Sequence, residues 1–250
     1  MIYETIIYHK EGGIGRITIN RPQAMNAITP AMLGELKAAV LEAGKDTEVQ
    51  VIVLTGAGKA FCAGVDLKAL GSGTLDRGKV GDILDKPARE LINAIRTVPK
   101  AVIALVNGYC FTGGLEIMLG CDLVIASEEA KIGDTHAKWG LRPTWGMSAR
   151  LPRRVGFLKA REMSFTADAI SGKEAERIGL VNMAVPNDRL EETLQVMAKK
   201  MMANSLESIA AYKHLYNTNE SMTLDKSLEL EYGTEFEISD TLERLGQFKK

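Results

Sequence analysis

Apolar residues recur along the chain with two alternating periods. From Ile14 to Ile19 the period is two, which predicts a strand, and Asn20-Arg21-Pro22 ends it because proline fixes φ and stops the pairing. After a loop, Thr29-Pro30 has the form of an N-cap followed by proline at the first helical position. It opens a predicted helix through Met32, Leu33, Leu36, Val40 and Leu41 that ends near Gly44. Val51-Ile52-Val53-Leu54 is a continuous apolar run closed by Thr55-Gly56-Ala57-Gly58, as in a strand buried on both faces. The stretch from there to about Leu70 is punctuated by glycine.

A second unit repeats the idea. A helix is predicted around Pro87 to Ile95, then a turn at Pro99, a buried strand from Ala101 to Val106, and Asn107-Gly108. Another glycine turn and helix follow, then a strand from Cys121 to Ala126, a short one at Lys131-Ile132-Gly133, and helices over Phe157 to Ala167 and Ser171 to Ile178. Strand and helix alternating in this way imply an α/β fold. After Pro186 the pattern turns helical, with apolar spacing at Leu190, Leu194, Met197, Met201 and Met202. A core over 1–187 and a C-terminal helical region over 188–250 are therefore expected, the latter with Met222, Leu224, Leu228 and Leu230 as apolar surplus. That surplus serves either packing within the chain or an interface between subunits.

Composition narrows the function classes. The 250 residues are 46% hydrophobic, enough for one sizeable core with a helical appendage. Lys and Arg total 31 against 32 Asp and Glu, a net charge of −1, and no basic block marks a nucleic-acid or anionic-membrane footprint. Met1 to Lys10 alternates polar and apolar residues rather than forming a signal peptide's apolar run, and there is no apolar stretch of about 18 residues. A soluble, cytoplasmic protein is expected. Cys62, Cys110 and Cys121 lack metal-ligand spacing and make a poor disulfide framework, so buried reduced thiols are expected. His9, His136 and His214 are scattered with no zinc-type pair, and no metal site is expected.

Two glycine-bearing turns stand after two of the buried strands, at Phe61-Cys62-Ala63-Gly64-Val65-Asp66-Leu67-Lys68 and Asn107-Gly108-Tyr109-Cys110-Phe111-Thr112-Gly113-Gly114-Leu115-Glu116. Neither is a dinucleotide or P-loop fingerprint. Glycine lets a ligand oxygen approach an N–H closely and a helix start leaves N–H groups unpaired, so two such turns can supply converging donors, though many are only tight connections. Glu116 falls in the first turn of an apolar helix beside Leu115 and Ile117. Burial there would raise its pKa and suit it to proton transfer; a carboxylate that stabilises the helix start or pairs with an arginine would have the same pattern.

Asn20-Arg21-Pro22 with Met25-Asn26-Ala27, the two glycine turns, Lys100-Ala101-Val102-Ile103-Ala104, Cys121-Asp122-Leu123, Gly140-Leu141-Arg142-Pro143, Leu151-Pro152-Arg153 and Gly179-Leu180-Val181 closely resemble the signatures of the crotonase (enoyl-CoA hydratase/isomerase) superfamily, in its order and spacing. The resemblance implies a spiral of repeated β-β-α units with a C-terminal helical trimerisation region, and a homotrimer or homohexamer. It implies an acyl-CoA thioester as ligand, with coenzyme A part of the substrate and no separate cofactor. The N–H groups of Val65 and Gly113 would form the oxyanion hole. Ala63, Val65, Asp66, Leu67, Lys68 and Gly113 would line the CoA site, with the backbone near Ala24 at the adenine end and Lys68 within reach of a phosphate, although a plain surface lysine fits Lys68 equally.

Hydratases of the family share the handling of water and proton between two glutamates. Glu116 matches the first. At the second position this chain has His136, within Gly133-Asp134-Thr135-His136-Ala137, and Pro143-Thr144-Trp145-Gly146 replaces a glycine-rich turn. His136 has three readings: the missing acid, with Asp134 orienting it if the backbone permits; a substrate hydrogen-bonding group that does not titrate; or a satisfied core histidine. Trp139, Trp145, Met147 and the Gly71-Ser72-Gly73-Thr74 loop are candidates for the acyl pocket, with core or lid roles equally open. The leading expectation is an enoyl-CoA hydratase-like lyase. A double-bond isomerase using one carboxylate is the alternative, followed by a thioester hydrolase and an acyl-CoA-binding homologue without turnover. A serine hydrolase finds no Gly-x-Ser-x-Gly elbow.

Overall fold

The computed structural model describes residues 3–68 and 76–247, and the Gly71 to Thr74 loop lies outside them. The chain opens with β1 (Ile6–Glu11), β2 (Ile14–Ile19) and α1 (Pro30–Lys45). Three consecutive β-β-α turns follow: β3 (Val51–Gly56), β4 (Ala60–Cys62) and α2 (Asp82–Thr97); β5 (Ala101–Val106), β6 (Tyr109–Phe111) and α3 (Gly113–Gly120); β7 (Leu123–Ser127), β8 (Lys131–Gly133) and α4 (Met147–Thr166). Then come β9 (Ile170–Ser171), α5 (Gly172–Arg177) and β10 (Met183–Val185), and four C-terminal helices, α6 (Leu190–Met202), α7 (Leu206–Asn219), α8 (Leu224–Gly233) and α9 (Thr241–Gln247). Each turn sends its first strand to a six-stranded sheet of order β1-β2-β3-β5-β7-β10 and its second to a four-stranded sheet of order β4-β6-β8-β9. This is the expected spiral. Within the spiral turns all pairings are parallel, and the antiparallel pairs, β1 with β2 and β8 with β9, lie at sheet edges.

The continuous apolar runs have a direct cause in this layering. Ile52, Leu54, Val102 and Ala104 face the main core with α1 and α2, while Val51, Val53, Ile103 and Leu105 face a second cluster closed by Leu190, Leu194 and Ala198 of α6. Both faces of β3 and β5 are covered, so neither strand carries an alternating polar row.

Three boundaries differ from the sequence pattern. β1 spans part of the segment read only as alternating, and its side chains are mostly exposed, which leaves a weak hydrophobic signal. α2 begins at Asp82 instead of near Pro87, which sits inside the helix and forgoes one backbone hydrogen bond. The helix expected over 157–167 is the second half of α4, whose two segments meet at Gly156 with φ of 77°. At α1 the cap is as expected, with the Thr29 hydroxyl accepting from the Met32 N–H at 3.3 Å.

Buried polar contacts explain several of the sequence signatures. Asn26 donates to the carbonyls of Ala57 and Ala60 at 3.0 and 2.6 Å and accepts from the Arg21 N–H, tying the loop after β2 to the β3–β4 turn. Lys213 of α7 donates to Asp122 at 2.8 Å and to the carbonyls of Ile95 and Lys100, anchoring the C-terminal helices to the spiral. Among the described residues no helix is long and apolar enough to cross a membrane.

Candidate active site

Every residue expected at the site, Ala24, Ala63, Val65, Asp66, Leu67, Lys68, Gly113, Glu116 and His136, lines one cavity of about 900 Å³. Trp139 and Trp145 line it as well. Met147 does not, and belongs to the hydrophobic core.

The two glycine turns meet because β4 and β6 are parallel neighbours in the smaller sheet. Their approach is close: a Cβ on Gly64, whose φ is 92°, would stand 2.4 Å from the Thr112 hydroxyl. The loop carrying Val65 is also stitched to the segment just before α1, with Ile28 N–H donating to Gly64 O at 2.8 Å and Asp66 N–H donating to Ile28 O at 3.0 Å. That leaves the amide between them uncommitted. Among the described residues, the N–H groups of Val65 and Gly113 donate to no protein acceptor. Gly113 is the first residue of α3, so its amide is one of the donors a helix start leaves open. Thr112 before it has φ of 46° and ψ of −113°, an outlying conformation for a β-branched residue that is held by its N–H bond to Gly133 O at 3.1 Å. The Asp66 carboxylate forms an ion pair with Arg21 at 3.0 Å, and the same guanidinium also donates to the Ala27 carbonyl. Lys68 is exposed at the cavity wall.

Glu116 is 2% exposed. Its Oε1 accepts from the N–H groups of Trp145 and Met147, both at 3.0 Å, so the carboxylate caps the start of α4. This capping acts on a helix other than Glu116's own, which the sequence pattern did not foresee, and it occupies only one oxygen. Oε2 faces His136 Nε2 at 3.7 Å, too long for a hydrogen bond, and both residues line the cavity, so one bound molecule beside them can meet both. Burial pushes the Glu116 carboxyl above its ordinary range against the opposing pull of the two backbone donors and His136.

His136 is 9% exposed and begins the short turn after β8. Its Nδ1 lies 2.6 Å from Asp134 Oδ1, and the backbone N–H of His136 donates to the same oxygen at 3.2 Å. Asp134 Oδ2 accepts from the Ser164 hydroxyl of α4 at 2.7 Å. Burial raises the Asp134 carboxyl, but the hydrogen bonds from His136 and Ser164 outweigh it and hold the group below its ordinary value. An ionised Asp134 makes Nδ1 the donor and turns Nε2 toward Glu116.

The sequence reading missed Asp85, which accepts from Thr144 Oγ1 at 2.6 Å and Trp145 Nε1 at 2.7 Å and so braces the cavity wall. A signal existed: Asp85 lies on the buried stripe of α2 with Leu84, Ala88, Leu91 and Ile92, where a carboxylate needs partners. Ser164 carried none. The three cysteines are buried and free, and burial pushes the Cys62 thiol up to about 12, which leaves it unsuited to act as a nucleophile. Among the described residues no group of three His, Cys, Asp or Glu side chains could hold a metal ion.

The arrangement offers two open amides, a carboxyl able to take a proton, and a carboxylate-oriented imidazole beside that carboxyl. Comparison with known proteins agrees with that chemistry. Residues 9–244 match the enoyl-CoA hydratase/isomerase family. The chain is similar to the short-chain-enoyl-CoA hydratase of Clostridium acetobutylicum, 35% identical, with 99% of this chain and 95% of the relative covered. It is also similar to a probable peroxisomal enoyl-CoA hydratase 1 of Arabidopsis thaliana, 35% identical over 92% of this chain and 85% of the relative. Among solved structures, an enoyl-CoA hydratase from Bacillus anthracis superposes with a TM-score of 0.89 at 31% identity, covering 98% of this chain and 96% of that one.

Proposed function

Because this chain belongs to the enoyl-CoA hydratase/isomerase family, we propose that it is an enoyl-CoA hydratase whose second acid is His136 in place of a glutamate. The observation that carries this reading is the side-by-side placement of Glu116 Oε2 and His136 Nε2, 3.7 Å apart, in one cavity with the open amides of Val65 and Gly113. A water held in the cavity beside the two groups gives a proton to Glu116 as its oxygen bonds to Cβ of the enoyl thioester. The Cα–Cβ π electrons move onto the thioester oxygen, where the two N–H groups stabilise the enolate. Loss of one such donor costs about a hundred- to a thousandfold in rate. The enolate then takes a proton at Cα from His136 Nε2, and the proton on Glu116 returns to His136 through a water in the cavity. Asp134 stabilises the imidazolium that the cycle requires. Dehydration is the reverse of these steps.

Lys68 and the backbone near Ala24 would meet the CoA phosphates and adenine at the open end of the cavity. The C-terminal region, 188–250, is proposed as an oligomerisation region that builds a homotrimer or homohexamer. Tyr216, Leu224, Leu228, Tyr232 and Leu242 are exposed there, Tyr232 to 96%, and a neighbouring subunit would cover them. Size-exclusion chromatography with light scattering tests this, and a stable monomer at micromolar concentration contradicts it.

The deciding experiment is an assay of enoyl-CoA esters in buffered heavy water with parent, Glu116→Gln and His136→Ala proteins. Hydration lost in both variants supports the two-group mechanism. Full activity in His136→Ala, with deuterium exchange at Cα or Cγ abolished in Glu116→Gln, makes the single-carboxylate isomerase the better account.

A further inference from the structure

We propose that Trp145 and Thr144, latched together by Asp85, form a partition that closes the acyl end of the cavity and restricts the substrate to short acyl chains. The inference rests on the acyl-CoA reading above and extends it to the class of acyl group.

Behind the site lies a second cavity of about 710 Å³, lined by charged residues including Lys86, Arg89, Glu90, Arg96 and Arg150. Only Thr144 and Trp145 line both this cavity and the reacting one among the described residues. They are the wall between the two. Both donate to the same oxygen, Asp85 Oδ1, at 2.6 and 2.7 Å, so one carboxylate of α2 sets the position of both.

Trp145 is further held at its backbone. Its N–H donates to Glu116 and its carbonyl accepts from Arg150 Nη1 at 2.9 Å, so the residue is fixed at three points and is 4% exposed. The indole also stands against the oxyanion-hole turn: a Cβ on Gly113 would lie 2.5 Å from its ring. An acyl chain leaving a thioester bound at Gly113 therefore meets this ring within a few carbons. A ring held by a buried charged acceptor is a stiff wall, since displacing it leaves both the indole N–H and the Asp85 oxygen without a partner.

The test measures binding of butanoyl-CoA and octanoyl-CoA by calorimetry, which needs no turnover, to parent, Trp145→Ala, Trp145→Phe and Asp85→Ala proteins. The parent should favour the short ester. Trp145→Ala should raise the octanoyl-to-butanoyl affinity ratio about tenfold or more, the scale of two newly buried methylenes. Asp85→Ala, which frees the ring without removing it, should move the ratio the same way by less, and Trp145→Phe should fall between parent and alanine. The ratio for crotonyl-CoA and 2-octenoyl-CoA turnover should follow the same order. Should Trp145→Ala fail to fold, Trp145→Phe and Asp85→Ala carry the test. A parent that already binds octanoyl-CoA as tightly as butanoyl-CoA, or a ratio that does not move in folded variants, overturns the partition alone. A parent that binds neither ester overturns the acyl-CoA reading and the partition with it.

Discussion

Glu116 and Asp134 follow short strands of successive turns of one spiral, and each is 2% exposed. Burial pushes both carboxyls upward, yet Glu116 ends above its ordinary range and Asp134 below. Glu116 lies deeper in the protein, and the donors are distributed differently. Two backbone N–H groups both point at Glu116 Oε1 and leave Oε2 facing the cavity, whereas Asp134 has His136 on one oxygen and Ser164 on the other. A carboxylate with both oxygens engaged stays ionised and orients its neighbour. One with an oxygen left open in an apolar wall is prepared to receive a proton. Burial alone does not set the role of a buried acid.

Breaking the comparison at Glu116 should have the largest effect. Glu116→Gln keeps an acceptor for Trp145 and Met147 but cannot carry the proton, so turnover should fall by about a hundredfold or more while acyl-CoA affinity stays within a few-fold. Steady-state kinetics beside calorimetry checks this, and a large loss of affinity with turnover preserved would contradict it. His136→Ala should also reduce hydration strongly, and the parent's pH–rate profile should lose a limb in the variant; an unchanged profile removes His136 from the mechanism. Asp134→Asn should cost about ten- to a hundredfold in turnover with little change in substrate affinity, the worth of one hydrogen bond to a charged group. Retained activity would show that the imidazole needs no orienting partner. Ser164→Ala removes only the outer bond to Asp134 and should reduce turnover by about a few-fold.

Stability should sharpen the same contrast through opposite pH dependences. Between the ordinary carboxyl pKa and the raised one of Glu116, the folded state binds more protons than the unfolded state, so this group's contribution to stability falls as pH rises. Glu116→Gln should therefore gain in melting temperature relative to the parent as pH is raised from acid to neutral. For Asp134 the unfolded state binds more protons between the lowered and ordinary values, so its stabilisation is present above that window and lost as pH falls through it. Asp134→Asn should be less stable than the parent at neutral pH, with the difference shrinking in acid. Melting curves of both variants across this range test the pair, and parallel pH dependences would remove the distinction drawn here.

Much of the frame was legible in the chain itself. β3 and β5 announced themselves as continuous apolar runs because both their faces are covered, and α1 through its Thr29-Pro30 cap. β1 was hidden by its exposure, and α2 by a proline that tertiary packing tolerates inside the helix. At the site, the residue pattern singled out Glu116, and the family resemblance pointed to His136 and assigned Val65 and Gly113. The Asp134 interaction with His136 was conditional on the backbone, since a separation of two residues places side chains together only in a suitable turn.

The sequence by itself determined an α/β fold, because hydrophobic period and local turn chemistry act between near neighbours in the chain, and its resemblance to one family implied the spiral and the residues that line one cavity. Tertiary structure decided which oxygen of Glu116 is spent on capping α4, which nitrogen of His136 faces it, and how Asp85 latches Trp145 from 60 residues away. Those outcomes depend on distances between elements that meet only in the fold, where a change of about an ångström makes or breaks a hydrogen bond and no local pattern records it.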